Sequence, residues 1–186
     1  RVRTFCRILA ETLAATPGRF ATITPAFIEA IYHASPLHDV GKVGIVDSIL
    51  LKPGRLNDEE FAVMKEHTLI GARTLESVLK RYPGNFLIEM GIDIARHHHE
   101  KWNGKGYPDG LAGEDIPLSA RIMAVADIYD ALRSRRPYKE PYPHDRAVDI
   151  IRGESGVTLE PAIVEVFNTI HLRFESIFAE LDDHAA

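Results

Sequence analysis

The stretch IARHHHEKWNGKGYPDGL, residues 94–111, sets three consecutive histidines at the end of a helically spaced run and follows them with three glycines and a proline within seven residues. Ile88, Ile92 and Ala95 recur at helical spacing before the triplet, so the histidines stand at or near a helix end. Neighbours on a helix point about 100° apart. The three imidazoles therefore cannot all face one centre, and at least one is spare. Glycine and proline make turns in any protein, so whether this segment is a ligand cluster or a polar turn depends on the rest of the chain.

Helical spacing recurs throughout, and no strand-like alternation of useful length interrupts it. The fold is predicted to be all-α. Val2, Phe5, Leu9 and Leu13 line one helix face, which TPGR ends. Thr24 caps a second helix with Pro25 at its first position, and Pro36 disturbs that helix just before His38 and Asp39. Asn57 with Glu60 reads as a capping box for a long helix whose apolar positions are Phe61, Met64, Leu75 and Val78, with His67 riding on it. A fourth helix leads into the triplet. Pro117 starts another, carrying Ile122, Ala126 and Tyr129 together with Asp127. Further helices are expected near 144–152 and 161–181, the last with Ile163, Phe167, Ile170, Phe174 and Phe178 on one side, before a frayed DDHAA tail.

A chain of 186 residues, 45% hydrophobic and 26% charged, suits a single globular domain over residues 1–186. One cysteine, Cys6, excludes an internal disulfide and a cysteine-rich zinc site. A net charge of −5 argues against wrapping a nucleic acid polymer, which calls for a broad basic surface. No apolar run reaches the roughly 18 residues of a membrane span, and a cytoplasmic setting is expected. The first helix begins without a cap at a residue other than methionine. The chain is therefore expected to be the C-terminal part of a larger regulator.

Nine histidines exceed ordinary usage, and many lie beside carboxylates. The candidate ligands are His38 and Asp39, His67, the triplet at 97–99, and Asp127. Imidazole and carboxylate together suit iron, manganese, nickel or zinc better than magnesium or calcium, which prefer all-oxygen shells. Side chains projecting inward from four helices are how bundles build such sites. Asp39, flanked by histidines, has two oxygens with which to bridge two metals, and a dinuclear pair acidifies water and clamps a phosphoryl group. Each piece alone has a plainer reading. His67 could be a core histidine, and Asp127 beside Asp130 could mark a solvent-facing edge. A second pair, His144–Asp145, follows PYP; Asp145 reads as a cap or first-turn residue and the pair is rejected as a ligand.

Taken in order, SPLHDVGKVGI, KPGRLNDEEFAVMKEHTLIGA, IARHHHEKWNGKGYPDGLAGEDIPLSARIMAVADIYDAL and RRPYK resemble the HD-GYP family of bacterial cyclic di-GMP phosphodiesterases, a branch of the metal-dependent HD phosphohydrolases. The resemblance runs from about residue 1 to 170. It implies an all-helical HD bundle holding a dinuclear metal centre, trinuclear where a third ion is completed. It assigns His38, Asp39, His67, His98, His99 and Asp127 to the metals, with Asp39 as bridge and His97 as the spare histidine. Iron or manganese is the expected metal, with nickel or zinc next. Lys42 matches a lysine that contacts substrate phosphate, and Arg136 and Lys139 match basic residues that hold the ligand's phosphates. Tyr107 offers a stacking face or a hydroxyl at the pocket lip.

The resemblance implies hydrolysis of cyclic di-GMP to pGpG and onward to GMP. It also implies docking of GGDEF-domain proteins on the GYP loop, and a sensor or receiver module before the domain; dimerisation through an N-terminal helix is a further expectation. Two rival functions stand beside it: a receptor that binds cyclic di-GMP with little turnover, and a phosphohydrolase of another nucleotide, including a mixed cyclic dinucleotide. Three departures from the family pattern are visible. The upstream Glu-x-x-x-His segment that can complete a third site lies outside the chain, Asn103 stands where aspartate is common, and TLEP replaces FDP at Leu159 and Glu160. The last change is expected to alter packing alone.

Overall fold

The computed structural model describes residues 1–16, 18–135 and 140–182. Eight α-helices run in chain order among them: α1 Val2–Ala14, α2 Pro25–Ala34, α3 Asp47–Leu50, α4 Asp58–Leu79, α5 Phe86–His97, α6 Leu118–Arg133, α7 His144–Gly153 and α8 Pro161–Asp182. Short 3-10 turns occupy Ser35–Leu37, Val40–Gly44 and Gly113–Asp115. No strand forms among the described residues; the two isolated bridges are Asn103 with Ala112 and Ser155 with Leu159. The all-α expectation is met.

Local chemistry sets the helix ends. The Thr24 hydroxyl accepts the Phe27 amide at 3.2 Å. Asn57 and Glu60 exchange side-chain to backbone bonds of 2.8 Å in both directions, supplying partners that the first turn of α4 lacks within the helix. Pro36 has no amide proton to continue α2, which stops at Ala34 and tightens into the 3-10 turn that delivers His38. Asp145 lies in the first turn of α7.

The core gathers α1, α6 and α8. Phe5 stacks on Phe174 at 4.5 Å, and Tyr129 meets both rings edge-on at 5.3 and 5.1 Å. Ile163, Phe167, Ile170, Phe174 and Phe178 are all buried, as their spacing predicts. Truncating a ring such as Phe174 to alanine costs about 3–5 kcal/mol.

On α4 the buried face differs from the one its apolar positions suggest. Leu75 is buried and Met64 half-buried, but Phe61 and Val78 are exposed at 45% and 37%. The helix instead turns His67, Thr68, Gly71 and Ala72 inward. Close packing explains this: a Cβ on Gly41 would lie 1.9 Å from the His67 carbonyl oxygen and 2.4 Å from the Gly71 nitrogen. The 3-10 turn Val40–Gly44 lies directly on the α4 backbone, and only small residues let it approach. That contact brings Asp39 against His67.

Candidate metal centre

Four parts of the chain converge at this contact: the turn after α2, the middle of α4, the end of α5 and the middle of α6. Asp39 lies at the centre. Its Oδ1 is 3.5 Å from His67 Nε2 and 3.9 Å from His98 Nε2, whereas its Oδ2 is 3.3 Å from His38 Nε2 and 2.5 Å from Lys42 Nζ. The two carboxylate oxygens thus face different sets of imidazoles. Asp127 approaches from α6, with Oδ1 3.8 Å from His38 Nε2; its neighbour Asp130 pairs instead with Arg1 at 2.7 Å.

The ring orientations are fixed from behind. His38 Nδ1 donates to the Ser35 carbonyl at 2.8 Å, His67 Nδ1 to Met64 at 2.7 Å and His98 Nδ1 to Ile94 at 2.9 Å. A carbonyl only accepts, so each Nδ1 carries the proton and each Nε2 presents its lone pair inward when the ring is neutral. This is the backing that orients metal-ligating histidines. Donor nitrogens of His67, His98 and His99 all lie within 4.8 Å of one another.

The electrostatics favour a cation. Burial holds the His98 ring well below the ordinary imidazole range, with repulsion from His99 adding to it. Burial and then His67 lower His99 to about 3, and burial lowers His67 as well. His38 moves the other way: burial pushes it down, but the bond to Asp39 and the charges of Asp39 and Asp127 outweigh this and raise it. Burial alone would raise Asp39, yet His38 and Lys42 hold it below the usual carboxylate range. The cluster thus sets the carboxylates beside three imidazoles held neutral by burial, those of His67, His98 and His99, the first two with their Nε2 lone pairs facing one another. The His67 and His98 Nε2 atoms are 3.5 Å apart, a repulsive approach that an interposed divalent cation turns into attraction. The residues fit such an ion.

His97 points away from the centre. Its Nε2 meets Asp109 at 3.1 Å, and Arg96 grips the same carboxylate through two bonds of 2.7 and 2.8 Å. Tyr107 stacks on the His99 ring at 4.8 Å. Burial, then the Asp39 and Asp127 charges, push its hydroxyl pKa up, so the hydroxyl keeps its proton. Lys42 is 40% exposed and stands at the mouth. Arg136 and Lys139 lie outside the described residues.

Two features escaped the sequence reading. Glu100, directly after the triplet, is buried; its Oε1 accepts the Asp109 and Gly110 amides at 2.7 and 3.0 Å, while Oε2 has no partner. It anchors the glycine loop, which passes so close that a Cβ on Gly106 would sit 2.4 Å from Glu100 Cα. A carboxylate between a histidine cluster and a glycine loop was the available signal. His144 is the second: rejected as a ligand, it is nonetheless buried, bonded to the Tyr129 hydroxyl at 2.8 Å and to His171 at 2.9 Å.

The sequence pattern of the HD domain matches residues 4–163, a span that contains the whole cluster. The chain belongs to the HD-domain family. This HD domain is 50% identical over 185 residues to a cyclic di-GMP phosphodiesterase of Vibrio cholerae, covering 100% of the chain and 38% of the relative. It is 44% identical over 169 residues to a cyclic di-GMP phosphodiesterase of Thermotoga maritima, covering 89% and 45%. A 3'3'-cGAMP-specific phosphodiesterase of Vibrio cholerae shares 43% identity over 155 residues, 83% of the chain and 29% of the relative. The crystal structure of a cyclic GMP-AMP-specific phosphodiesterase from Vibrio cholerae superposes with a TM-score of 0.61 at 19% identity, over 91% of this chain and 43% of that one, and shares the fold. The HD domain spans less than half the length of each of these proteins. The family resemblance read from the motifs is borne out. No helix among the described residues is long and apolar enough to cross a membrane.

Proposed function

We propose that the protein is a metal-dependent phosphodiesterase that hydrolyses cyclic di-GMP to linear pGpG and then to GMP, acting in bacterial second-messenger signalling in the cytoplasm. The observation that carries this reading is the carboxylate of Asp39, one oxygen toward His67 and His98 and the other toward His38 and Lys42. His38, Asp39, His67, His98, His99 and Asp127 would hold two divalent ions, with Asp39 as the bridge. Iron(II) or manganese(II) is the expected pair for this mixed nitrogen and oxygen set, which also accommodates nickel or zinc. When bound, such ions supply a water acidified toward neutral pH and Lewis-acid stabilisation of charge on the phosphoryl oxygens.

The chain's own groups do the rest. The carbonyls of Ser35, Met64 and Ile94 hold three imidazoles in the tautomer whose Nε2 is a donor pair. Lys42 exchanges its contact with Asp39 for a phosphoryl oxygen of the entering diester. Tyr107, still protonated, donates from the pocket lip. Arg136 and Lys139 would hold the ligand's second phosphate. The GYP loop, held by Glu100 and Asp109, is the surface on which a GGDEF-domain partner would dock.

The named relatives favour one further substrate, since some act on cyclic di-GMP and others on 3'3'-cGAMP. The test is turnover by protein loaded anaerobically with Fe(II) or Mn(II), with products separated by chromatography. Formation of pGpG or GMP that disappears in His38→Ala and Asp39→Ala supports the reading. Binding of cyclic di-GMP without product, at full metal loading, replaces it with a receptor.

A further inference from the structure

His144 takes no part in the centre described above, yet it is buried and meets polar groups from two other helices. Its Nδ1 lies 2.8 Å from the Tyr129 hydroxyl on α6. Its Nε2 lies 2.9 Å from His171 Nδ1 and 3.9 Å from Glu175 Oε2, both on α8. His171 and Glu175 are four residues apart and so share one face of that helix. Two imidazole nitrogens and a carboxylate oxygen therefore gather where α7 begins against α8. Tyr129 follows Asp127 by two residues, about 200° around α6, so this cluster lies across α6 from the Asp39 carboxylate.

We propose that His144 Nε2, His171 Nδ1 and Glu175 form a second metal site, which takes one zinc ion and ties α7 to α8. This site is independent of the phosphodiesterase reading. Two imidazoles and a carboxylate are a zinc set, with solvent completing the tetrahedron. The Glu175 side chain is 46% exposed, which leaves the fourth position open to water. Zinc ligands at about 2.0–2.1 Å in a tetrahedron stand roughly 3.4 Å from one another. The separations of 2.9 and 3.9 Å fall on either side of this, and rotation of the half-exposed Glu175 side chain brings its oxygen toward His171 as well.

The proton positions permit binding. Burial lowers His144 from its ordinary value, against the pull of Glu175, so the ring is neutral at pH 7. With its proton on Nδ1 and donated to the Tyr129 oxygen, the Nε2 lone pair faces His171, the backing that ligating histidines use. Without an ion, the His171 Nδ1 proton lies between the two rings. Zinc takes its place, and the proton passes to Nε2 of the same ring by way of solvent, which leaves His171 neutral. Arg133, whose charge reaches His144, is drawn aside by the Phe178 ring at 5.0 Å and the Tyr142 carbonyl at 3.4 Å. Asp145, the neighbour that the dipeptide suggests, stays in the first turn of α7.

The experiment is a zinc titration of the metal-free protein against a chromophoric chelator, counting bound equivalents, with nitrogen-15 spectra of the labelled histidines recorded on the same samples. His171→Ala is expected to bind one equivalent fewer than the wild type, and Asp39→Ala to keep that equivalent. Glu175→Gln, at an exposed position that does not endanger folding, should weaken the same equivalent about tenfold, since an amide is a poorer ligand than a carboxylate. In the unmutated protein, zinc should shift the His144 Nε2 and His171 Nδ1 resonances, and those shifts should be absent in His171→Ala. A hydrogen-bonded histidine pair with only a packing role changes neither the count nor these resonances. The same number of equivalents in His171→Ala as in the wild type, or His144 and His171 resonances that zinc leaves in place, overturns the proposal. Neither readout involves turnover, so failure of the phosphodiesterase reading leaves this test intact.

Discussion

His67 and His98 face one another with Nε2 atoms 3.5 Å apart, each ring's Nδ1 proton already given to a backbone carbonyl. Metal should relieve this approach. Chelation is expected to lower the melting temperature, and added Mn(II) to restore it by mass action. His98→Ala should lose at least tenfold in metal affinity by calorimetry. His97→Ala, whose ring meets Asp109 instead, should keep the wild-type affinity. Equal losses in the two variants would contradict the division of the triplet.

Acid should weaken the metal-free protein. His67, His98 and His99 titrate below the ordinary 6.5, His99 at about 3, because burial disfavours the imidazolium. The unfolded chain therefore binds more protons between those values, and stability falls as pH drops from about 6.5 toward 4. His38 is raised, so its contribution is full below 6.5 and is lost as pH rises through its folded value. Asp39 is lowered, so its contribution is full above its ordinary 3.8 and is lost only in stronger acid. Neither sets the slope in this window. Thermal melts in chelator should show a melting temperature that declines from pH 6.5 to 4.5, and a shallower decline in His99→Ala.

Gly41 holds the site together from outside the ligand set. Gly41→Ala places a methyl 1.9 Å from the His67 carbonyl oxygen and 2.4 Å from the Gly71 nitrogen, a clash with the α4 backbone. Overpacking of this kind costs about 3 kcal/mol, roughly 10 °C in melting temperature for a chain of this size. Metal affinity should fall with it, since the displaced turn carries Asp39.

Glu100 tests the loop. Its Oε1 receives two amides, and bonds to a charged acceptor contribute about 1.5–3 kcal/mol each. In Glu100→Ala the Asp109 and Gly110 amides should exchange hydrogen at least tenfold faster, while those of α6 stay protected. Unchanged exchange at Asp109 and Gly110 would remove Glu100 as the anchor.

The sequence was most informative where chemistry is local. The Thr24 and Asn57 caps, the break at Pro36 and the one-sided face of α8 each depend on residues within a few positions, and each appears as spaced. Imidazole and carboxylate chemistry gathered His38, Asp39, His67, the triplet at 97–99 and Asp127 as candidates, and it was the family resemblance that narrowed them to six and set His97 aside. What could not be read depends on distant packing. Phe61 and Val78 are exposed because α4 is rotated by its contact with Gly41, which lies 20 and 37 residues from them in the sequence. The partners of Glu100 and His144 exist only once a loop or another helix folds back against them. Leu159 and Glu160 are both buried, with Glu160 paired to Arg121 at 2.6 Å, a packing role consistent with the expectation for that segment.

The most direct test of the metal pair is electron paramagnetic resonance of the Mn(II)-loaded protein, with the metal content measured on the same sample. The account predicts two ions per chain giving a spin-coupled spectrum, because the Asp39 carboxylate would link them, and loss of that coupling in Asp39→Ala. One ion per chain, or two with uncoupled six-line spectra, would contradict it.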